Sequence, residues 1–243
     1  MRLPHFPLHA VVFPHLPLPI HVFEERYRTM VSDVLAGDSP WSGRFVVSLI
    51  LEGSEVGKDG SGPTRSAAVG TIVEVRHAKR FADGRWGLLT VGLARVGIGA
   101  PNSTRQYAVV EAQELPEEAG DITQAAVLLP QVQGALDAYL TSVKRFVASA
   151  ASVGRESREI TEVATTLDEV LKPIRLPDNP LAASYAVGGV LQIELTRKQR
   201  LLELPDAASR LRAELDLLRR EARLVAEGEM PTVGTDDLGY SLN

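Results

Sequence analysis

The amino-terminal arm constrains the fold more than any other stretch, because its first twenty residues carry five prolines among apolar side chains. Proline lacks a backbone N–H and disfavours the α conformation of the residue before it, so the arm cannot be a helix. The β-branched and aromatic run at residues 11–13 predicts a short strand, which the flanking prolines confine to a sheet edge. We therefore expect an extended apolar segment on which later strands pack.

An amphipathic helix is predicted directly after the arm. Six apolar residues recur there at three- and four-residue spacings, the period of one helix face: Phe23, Tyr27, Met30, Val31, Val34 and Leu35. Gly37 is placed to end this helix, because glycine readily adopts the left-handed conformation that often follows a helix C-terminus.

The next part of the chain has the pattern of a sheet. Apolar, β-branched runs predict strands at residues 44–51, 68–79, 86–96 and 107–112. A glycine-rich stretch at 52–66 predicts a mobile loop between the first two. Asp83-Gly84 predicts a hairpin with a type I′ turn, which needs positive φ at both central residues.

From about residue 117 the strand pattern stops and a helical pattern begins. The first helix of this part is predicted to begin at an N-cap, Asp121, and to be kinked or restarted at Pro130. Further helices are predicted at 157–171, at 181–191 and from 206 onward. The last helix carries a heptad seam of Leu211, Leu215, Leu218, Ala222 and Val225. That seam is too short for an independent coiled coil, so we expect it to pack on neighbouring helices of the same chain.

The predicted organisation is thus a β domain over residues 1–116, a helical domain over 117–227 and a disordered polar tail over 228–243. The net charge of −5 speaks against a general nucleic-acid binder, because such proteins neutralise phosphates. The absence of cysteine excludes disulfides and thiolate chemistry and suits the cytoplasm. Prolines and histidines interrupt any signal-peptide core, and no apolar run reaches membrane-spanning length, so we predict a cytoplasmic protein.

No motif for catalysis or cofactor binding stands out. The stretch from Gly53 to Lys58 is one residue too short for a phosphate-binding loop, and Asp59 replaces the required hydroxyl. Four histidines lie within the first 21 residues, but prolines surround them and no metal-ligand spacing is present. We predict no catalytic residue, no metal, no nucleotide and no cofactor.

Three ordered strings of residues carry a resemblance to a known family. The first is Leu3-Pro4-x-Phe6-Pro7-Leu8, Phe13-Pro14, Leu18-Pro19 and His21-Val22-Phe23-Glu24-x-Arg26-Tyr27. The second is Val69-Gly70-Thr71-Ile72, Asp83-Gly84 and Gly92-x-x-Arg95-Val96, and the third is Lys198-Gln199 in a turn before the last helix. In this order they resemble the N-terminal substrate-binding domain of Lon proteases over residues 3–225.

The resemblance implies an α+β fold: an N-terminal PUA-like β-barrel with one early helix, followed by a C-terminal helical bundle that ends in a long helix. It also implies a stand-alone recognition part without the ATPase and peptidase modules of a Lon protease, so the chain is expected not to be an enzyme. The implied partner is unfolded or tagged polypeptide. An RNA-binding module and an adaptor that docks on a separate ATP-dependent protease stay open as alternatives, and so does the oligomeric state.

The candidate peptide-binding residues are His21, Glu24, Arg26, Phe81, Trp86 and Arg95. Glu24 and Arg26 have two interpretations. The one that we favour is that they cap and solvate the first helix; the other is that they lie at the mouth of a groove between the barrel and the helical part. The aromatic residues Phe81 and Trp86 are interleaved with basic ones. We rank three interpretations of this pattern. The first is a charged sheet edge that blocks aggregation, the second is a peptide contact, and the third is stacking with RNA bases.

Overall fold

The computed structural model describes residues 1–53, 65–102, 105–152 and 174–227, with backbone alone for 150–152. Most of the predicted glycine-rich loop with its near-match to a phosphate site, the helix predicted at 157–171 and the tail at 228–243 lie outside the described residues.

The amino-terminal arm forms two strands, β1 (Arg2–Leu8) and β2 (Pro17–Val22), and the strand predicted at 11–13 is wrong. Residues 2–4 of β1 pair only with β7, and residues 5–8 pair in parallel with β3. Pro4 and Pro7 are tolerated in β1 because each part of the strand is paired on one side, which leaves room for a residue without an N–H.

Helix α1 (Glu25–Leu35) follows β2, and its buried face consists of Tyr27, Met30, Val31 and Val34. Phe23 was predicted to belong to this face, but it precedes the helix and is exposed. The helix also ends without Gly37, because the chain leaves it through extended backbone at Ala36.

Five strands close into a barrel, as the fold prediction required. The remaining strands are β3 (Arg44–Glu52), β4 (Arg65–Ser66), β5 (Val69–Arg80), β6 (Trp86–Ile98) and β7 (Val109–Glu114). The order around the barrel is β1-β7-β6-β5-β3, and the parallel pairing of β1 with β3 closes it. The first half of β6 runs beyond β7 and pairs with β2 instead.

Two glycines of the strings that carry the family resemblance are required by close packing. A Cβ on Gly70 would lie 2.4 Å from the carbonyl oxygen of Val47, and one on Gly92 would lie 2.4 Å from that of Phe13. Backbone atoms cannot give way as a flexible side chain can, so both positions exclude any side chain.

The β5–β6 hairpin turns differently from the prediction. Gly84 has φ of +83°, but Asp83 has no positive φ, so the turn is not type I′. The Gly84 N–H donates to Phe81 O at 3.0 Å, and the Phe81 N–H donates to Arg85 O at 2.8 Å. This is the three-residue loop in which a glycine in the left-handed region forms a bulge.

Four further helices follow: α2 (Ile122–Ser152), α3 (Pro180–Val190), α4 (Leu195–Glu203) and α5 (Ala207–Ala226). Side chains of Asp121, Asn179 and Asp206 cap α2, α3 and α5 by accepting backbone N–H groups at 2.8 to 3.0 Å. Helix α2 continues through Pro130. The turn expected around Lys198-Gln199 is instead the nine-residue helix α4.

The described chain divides into two compact units. The first contains Met1–Pro116 and Leu195–Glu203, so α4 belongs with the barrel, and the second contains α2, α3 and α5. The domain boundaries drawn from the sequence stay a prediction. Among the helices in the described ranges, none combines the length and the apolar character needed to cross a bilayer.

Within the helical unit, α5 packs against α2 and α3. Leu211, Leu215 and Leu218 of the seam are buried, which confirms that the seam packs within the chain. The same helix buries Arg210 and Glu214, which the sequence did not predict. Burial raises the pKa of the Glu214 carboxyl well above its usual range, and the nearby Arg210 guanidinium offsets only part of that penalty.

Candidate functional site

An exposed apolar surface lies on the outer face of the sheet formed by β2, β6 and β5. Pro19 is paired with Leu89, and His21 with Gly87. Because alternate residues of a strand point to the same face, Pro19, His21 and Leu89 share one face. All three are exposed, and 44% of Leu89 is accessible to solvent.

Two phenylalanines extend this surface. The Phe81 ring lies across Gly87, where an added Cβ would be 3.3 Å from a ring carbon. The His21 ring centroid is 5.9 Å from that of Phe81 and 6.4 Å from that of Phe23. Phe81 is 37% and Phe23 47% exposed. We call His21, Phe23, Phe81 and Leu89 the apolar patch.

Cationic side chains border the apolar patch. Lys79 Nζ lies 5.5 Å from the Phe81 ring centroid, and the Arg85 guanidinium carbon lies 6.0 Å from it. Both distances are within the range of cation–π attraction. Such pairs keep an exposed aromatic ring in a polar setting, and they suit both a charged sheet edge and a ligand contact.

Glu24 and Arg26 lie next to the patch at the start of α1. Arg26 Nη2 is 2.9 Å from Glu24 Oε2, and the guanidinium carbon is 4.6 Å from the Tyr27 ring centroid. Glu24 is the N-cap residue, but its side chain makes no capping hydrogen bond. The carboxylate still lies near the positive end of the helix dipole, which agrees with the favoured interpretation.

Trp86 lies on the other face of the sheet. It pairs with Val22 and Arg80, next to Gly87, so its side chain points away from the patch. The ring is half-buried and packs against the barrel core, with the Arg80 guanidinium carbon 5.7 Å from its centroid. The structure therefore separates Trp86 from Phe81.

Arg95 is not a surface residue. It is 2% exposed, and its guanidinium donates to Leu202 O and Pro116 O, each at 2.9 Å. A buried arginine bonded to two backbone carbonyls holds chain segments together and offers no surface to a peptide. Arg95 is therefore too buried to be a peptide contact.

The sequence reasoning missed Phe23 and Leu89. Phe23 fits the helix period, which predicts a position on the buried face. Leu89 follows Leu88, and because successive strand residues point to opposite faces, one of two adjacent leucines had to face outward. That alternation was the available signal. Leu88 is buried and Leu89 is exposed.

A pocket of the barrel unit is lined in part by Arg26 and Tyr27 of α1. Its volume is about 530 Å³, and its lining includes Arg26, Arg65, Arg105, Tyr27, Tyr107 and His5. The volume falls within the range of ligand sites. We call it the arginine pocket.

Two neutral groups in the arginine pocket are held by hydrogen bonds. Burial lowers the pKa of His5 to about 4, and its Nε2 is 2.7 Å from Ser48 Oγ. Burial and the Asp33 carboxylate raise the pKa of Tyr107 to about 12, and its hydroxyl donates to Asp33 at 2.6 Å. Both side chains are therefore uncharged at neutral pH.

No cluster of three or more histidine, aspartate or glutamate side chains in the described ranges could hold a metal ion. The four early histidines are spread over β1, β2 and the segment between them. His5 is buried and His21 belongs to the apolar patch, which gives each a role other than metal binding.

Comparison with protein families identifies this arrangement. The model of the ATP-dependent protease La (LON) substrate-binding domain matches residues 2–220. The chain belongs to this family. The match spans the barrel and helices α1 to α4, ends within α5, and confirms the resemblance inferred from the three strings of residues.

Lon proteases are among the relatives of this chain. The Lon protease of Trichlorobacter lovleyi is 25% identical over 239 residues, which cover 98% of this chain and 26% of the relative. That of Escherichia coli strain K12 is 24% identical over 232 residues, which cover 92% of this chain and 26% of the relative. The chain thus spans about a quarter of the length of these relatives.

Solved structures show the same fold. The N-terminal domain of a Mycobacterium avium complex Lon protease has a TM-score of 0.58 at 23% identity, covering 90% of this chain and 98% of that one. A Lon N-terminal domain protein from Xanthomonas campestris has a TM-score of 0.53 at 21% identity, covering 89% and 98%. The predicted α+β fold is confirmed.

Proposed function

We propose that this Lon substrate-binding domain is a non-catalytic recognition module that binds unfolded or extended polypeptide through the apolar patch. The observation that carries the proposal is the grouping of Phe23, Phe81 and Leu89 around His21 on one exposed face of the barrel unit. Exposed apolar side chains that form a group, rather than lying singly, mark interaction sites.

Side chains rather than main-chain pairing carry this binding. Among the described strands, β2 pairs only with β6, so it presents an edge to which a peptide strand could add. Two of its six residues are Pro17 and Pro19, which have no N–H to donate. Aromatic and aliphatic contacts accept many apolar sequences, as a protein that recognises unfolded chains requires.

The proposal includes the partners implied by the family. The bound polypeptide would be a client for degradation, delivered to an ATP-dependent Lon-type protease, and the location would be the cytoplasm. The net charge of −5 and the exposed phenylalanines favour polypeptide over RNA. The three cation–aromatic pairs of the hairpin keep RNA as the alternative ligand.

Fluorescence anisotropy tests the proposal with the 243-residue protein. A labelled unfolded protein and a labelled single-stranded RNA are titrated at low and moderate salt. Phe81 and Leu89 still expose 37% and 44% of their surface, so burying the rest of each is worth about 1 kcal/mol. Phe81→Ser with Leu89→Ser should therefore weaken polypeptide binding about 30-fold.

Ile122→Ser is the matched control, because it removes an apolar side chain that is 71% exposed on α2. It should leave the affinity unchanged. Equal weakening by the control and the patch variant would contradict the assignment of the patch. RNA binding that falls steeply with salt, without polypeptide binding, would favour the nucleic-acid alternative.

A further inference from the structure

We infer that the arginine pocket binds the side-chain carboxylate of an aspartate or glutamate in a polypeptide whose apolar residues contact the apolar patch. This inference rests on the proposed function and specifies its ligand class. The preferred client segment would then combine apolar residues with a nearby acidic one, rather than being apolar throughout.

The charge of the pocket carries the first step. Arg26, Arg65 and Arg105 line it, and no aspartate or glutamate among the described residues does. Their acidic partners Glu24, Glu52 and Asp33 lie outside the lining, at 2.9, 2.7 and 3.1 Å from the respective guanidinium nitrogens. A guanidinium has five N–H donors and can bind a second carboxylate beside the first.

Two of the arginines are already oriented. The Arg26 guanidinium carbon lies 4.6 Å from the Tyr27 ring centroid, and that of Arg105 lies 5.0 Å from the centroid of Trp41. Arg105 also donates to the Tyr107 hydroxyl at 3.3 Å. Side chains fixed on aromatic rings lose little further freedom when a ligand binds, which favours affinity.

The pocket and the apolar patch are neighbours on the barrel unit. Tyr27 lines the arginine pocket and also a small depression formed with His21, Phe23 and Glu24. His21 and Phe23 belong to the patch. An extended segment that leaves the patch along this depression therefore reaches Arg26 at the edge of the pocket.

The neutral groups of the pocket agree with a carboxylate ligand that is recognised by arginine alone. His5 is uncharged at neutral pH, and the Tyr107 hydroxyl donates to Asp33. Neither offers a negative charge to the ligand. The remaining lining includes Ala67, Ala68 and Pro101, which leave room for a side chain.

Binding of two labelled peptides to the 243-residue protein tests the inference. Both peptides carry the same apolar residues and an amidated C-terminus, and they differ only in two glutamates against two glutamines. We expect the glutamate peptide to bind about tenfold more tightly, as one charge-assisted hydrogen bond predicts. Arg65→Gln and Arg26→Gln should each reduce this preference severalfold.

Arg44→Gln is the matched control. Arg44, like Arg65, is an exposed arginine paired with a glutamate, but it does not line the pocket. It should keep the full preference. Equal affinities for the two peptides, or a preference that survives both pocket variants, would overturn the inference while the apolar function stands.

Two other results would also overturn it. A peptide with glutamines and a free C-terminus that binds as tightly as the glutamate peptide would assign the pocket to a terminal carboxylate. Single-stranded RNA that displaces the glutamate peptide and loses affinity in Arg65→Gln would assign the pocket to phosphate.

If neither the glutamine peptide nor the glutamate peptide binds, the result would refute the proposed function itself.

Discussion

Replacing Arg95 by methionine distinguishes the structural role of this residue from the peptide contact expected from the sequence. Methionine keeps most of the aliphatic volume and removes the guanidinium. Two backbone carbonyls, the buried Leu202 O and the partly buried Pro116 O, then lose their donor. Hydrogen bonds to charged groups contribute about 1.5–3 kcal/mol each, but the variant also avoids burying a charge. We therefore expect a loss of about 2–4 kcal/mol in the free energy of unfolding.

Tryptophan fluorescence during urea unfolding measures this loss in the right part of the chain. Both tryptophans, Trp41 and Trp86, lie in the barrel unit, so their emission reports on that unit. Linear extrapolation gives the free energy of unfolding. Arg76→Met is the control, because Arg76 is an exposed arginine of β5, and it should change the stability by less than about 0.5 kcal/mol.

The peptide affinity of the variant completes the test. Arg95→Met protein that remains folded should bind polypeptide as the wild type does, because Arg95 does not reach the apolar patch. An unchanged stability together with a weaker affinity would refute the structural role and restore Arg95 as a contact. Loss of stability with unchanged affinity is the expected result.

Three further substitutions test the packing directly. Glu214→Gln should remove a pH dependence of the stability. The Glu214 carboxyl of the folded protein keeps its proton above pH 4.5, where the unfolded chain releases it, so the wild-type free energy of unfolding falls as the pH rises from 4.5 toward the raised pKa. Urea titrations at several pH values should show a flatter profile for the variant. Gly70→Ala should destabilise the barrel by about 2 kcal/mol or more, seen as a lower urea midpoint in tryptophan fluorescence, because its Cβ would meet Val47 O at 2.4 Å. Asp206→Ala should cost about 1 kcal/mol, measured by urea unfolding followed by far-UV circular dichroism, because it removes the cap of α5.

Strands β3, β5, β6 and β7 were predictable because each carries an apolar or β-branched run. The arm was not, because a local rule was applied without its context. The prolines excluded a helix and left only a short edge strand at 11–13 as the prediction, yet β1 accepts Pro4 and Pro7 where each part of the strand pairs on one side. Proline preferences describe an average environment, and only the pairing partners decide whether a missing N–H matters.

The candidate surface was predicted in part, and the errors have physical causes. His21 and Phe81 come together because β2 and β5 both pair with β6. The two residues are about sixty positions apart in the sequence, and local patterns carry no information on such a contact. Arg95 is expected at the surface from sequence alone, because charged side chains usually lie there. Its acceptor Leu202 is 107 residues away in sequence, and no local signal announces such a bond.

Helix α4 supplies hydrogen-bond partners to the barrel, although it lies far from the barrel strands in the sequence. Arg95 donates to Leu202 O, and the Gln199 side chain donates to Val69 O at 3.0 Å, so two bonds join α4 to strands β5 and β6. Residues 1–116 alone therefore lack acceptors and donors that the barrel uses. A break drawn where the composition changes would leave the buried Arg95 without the Leu202 carbonyl. In the Lys198-Gln199 string, Gln199 thus connects α4 to the barrel of this chain, in addition to preceding the last helix.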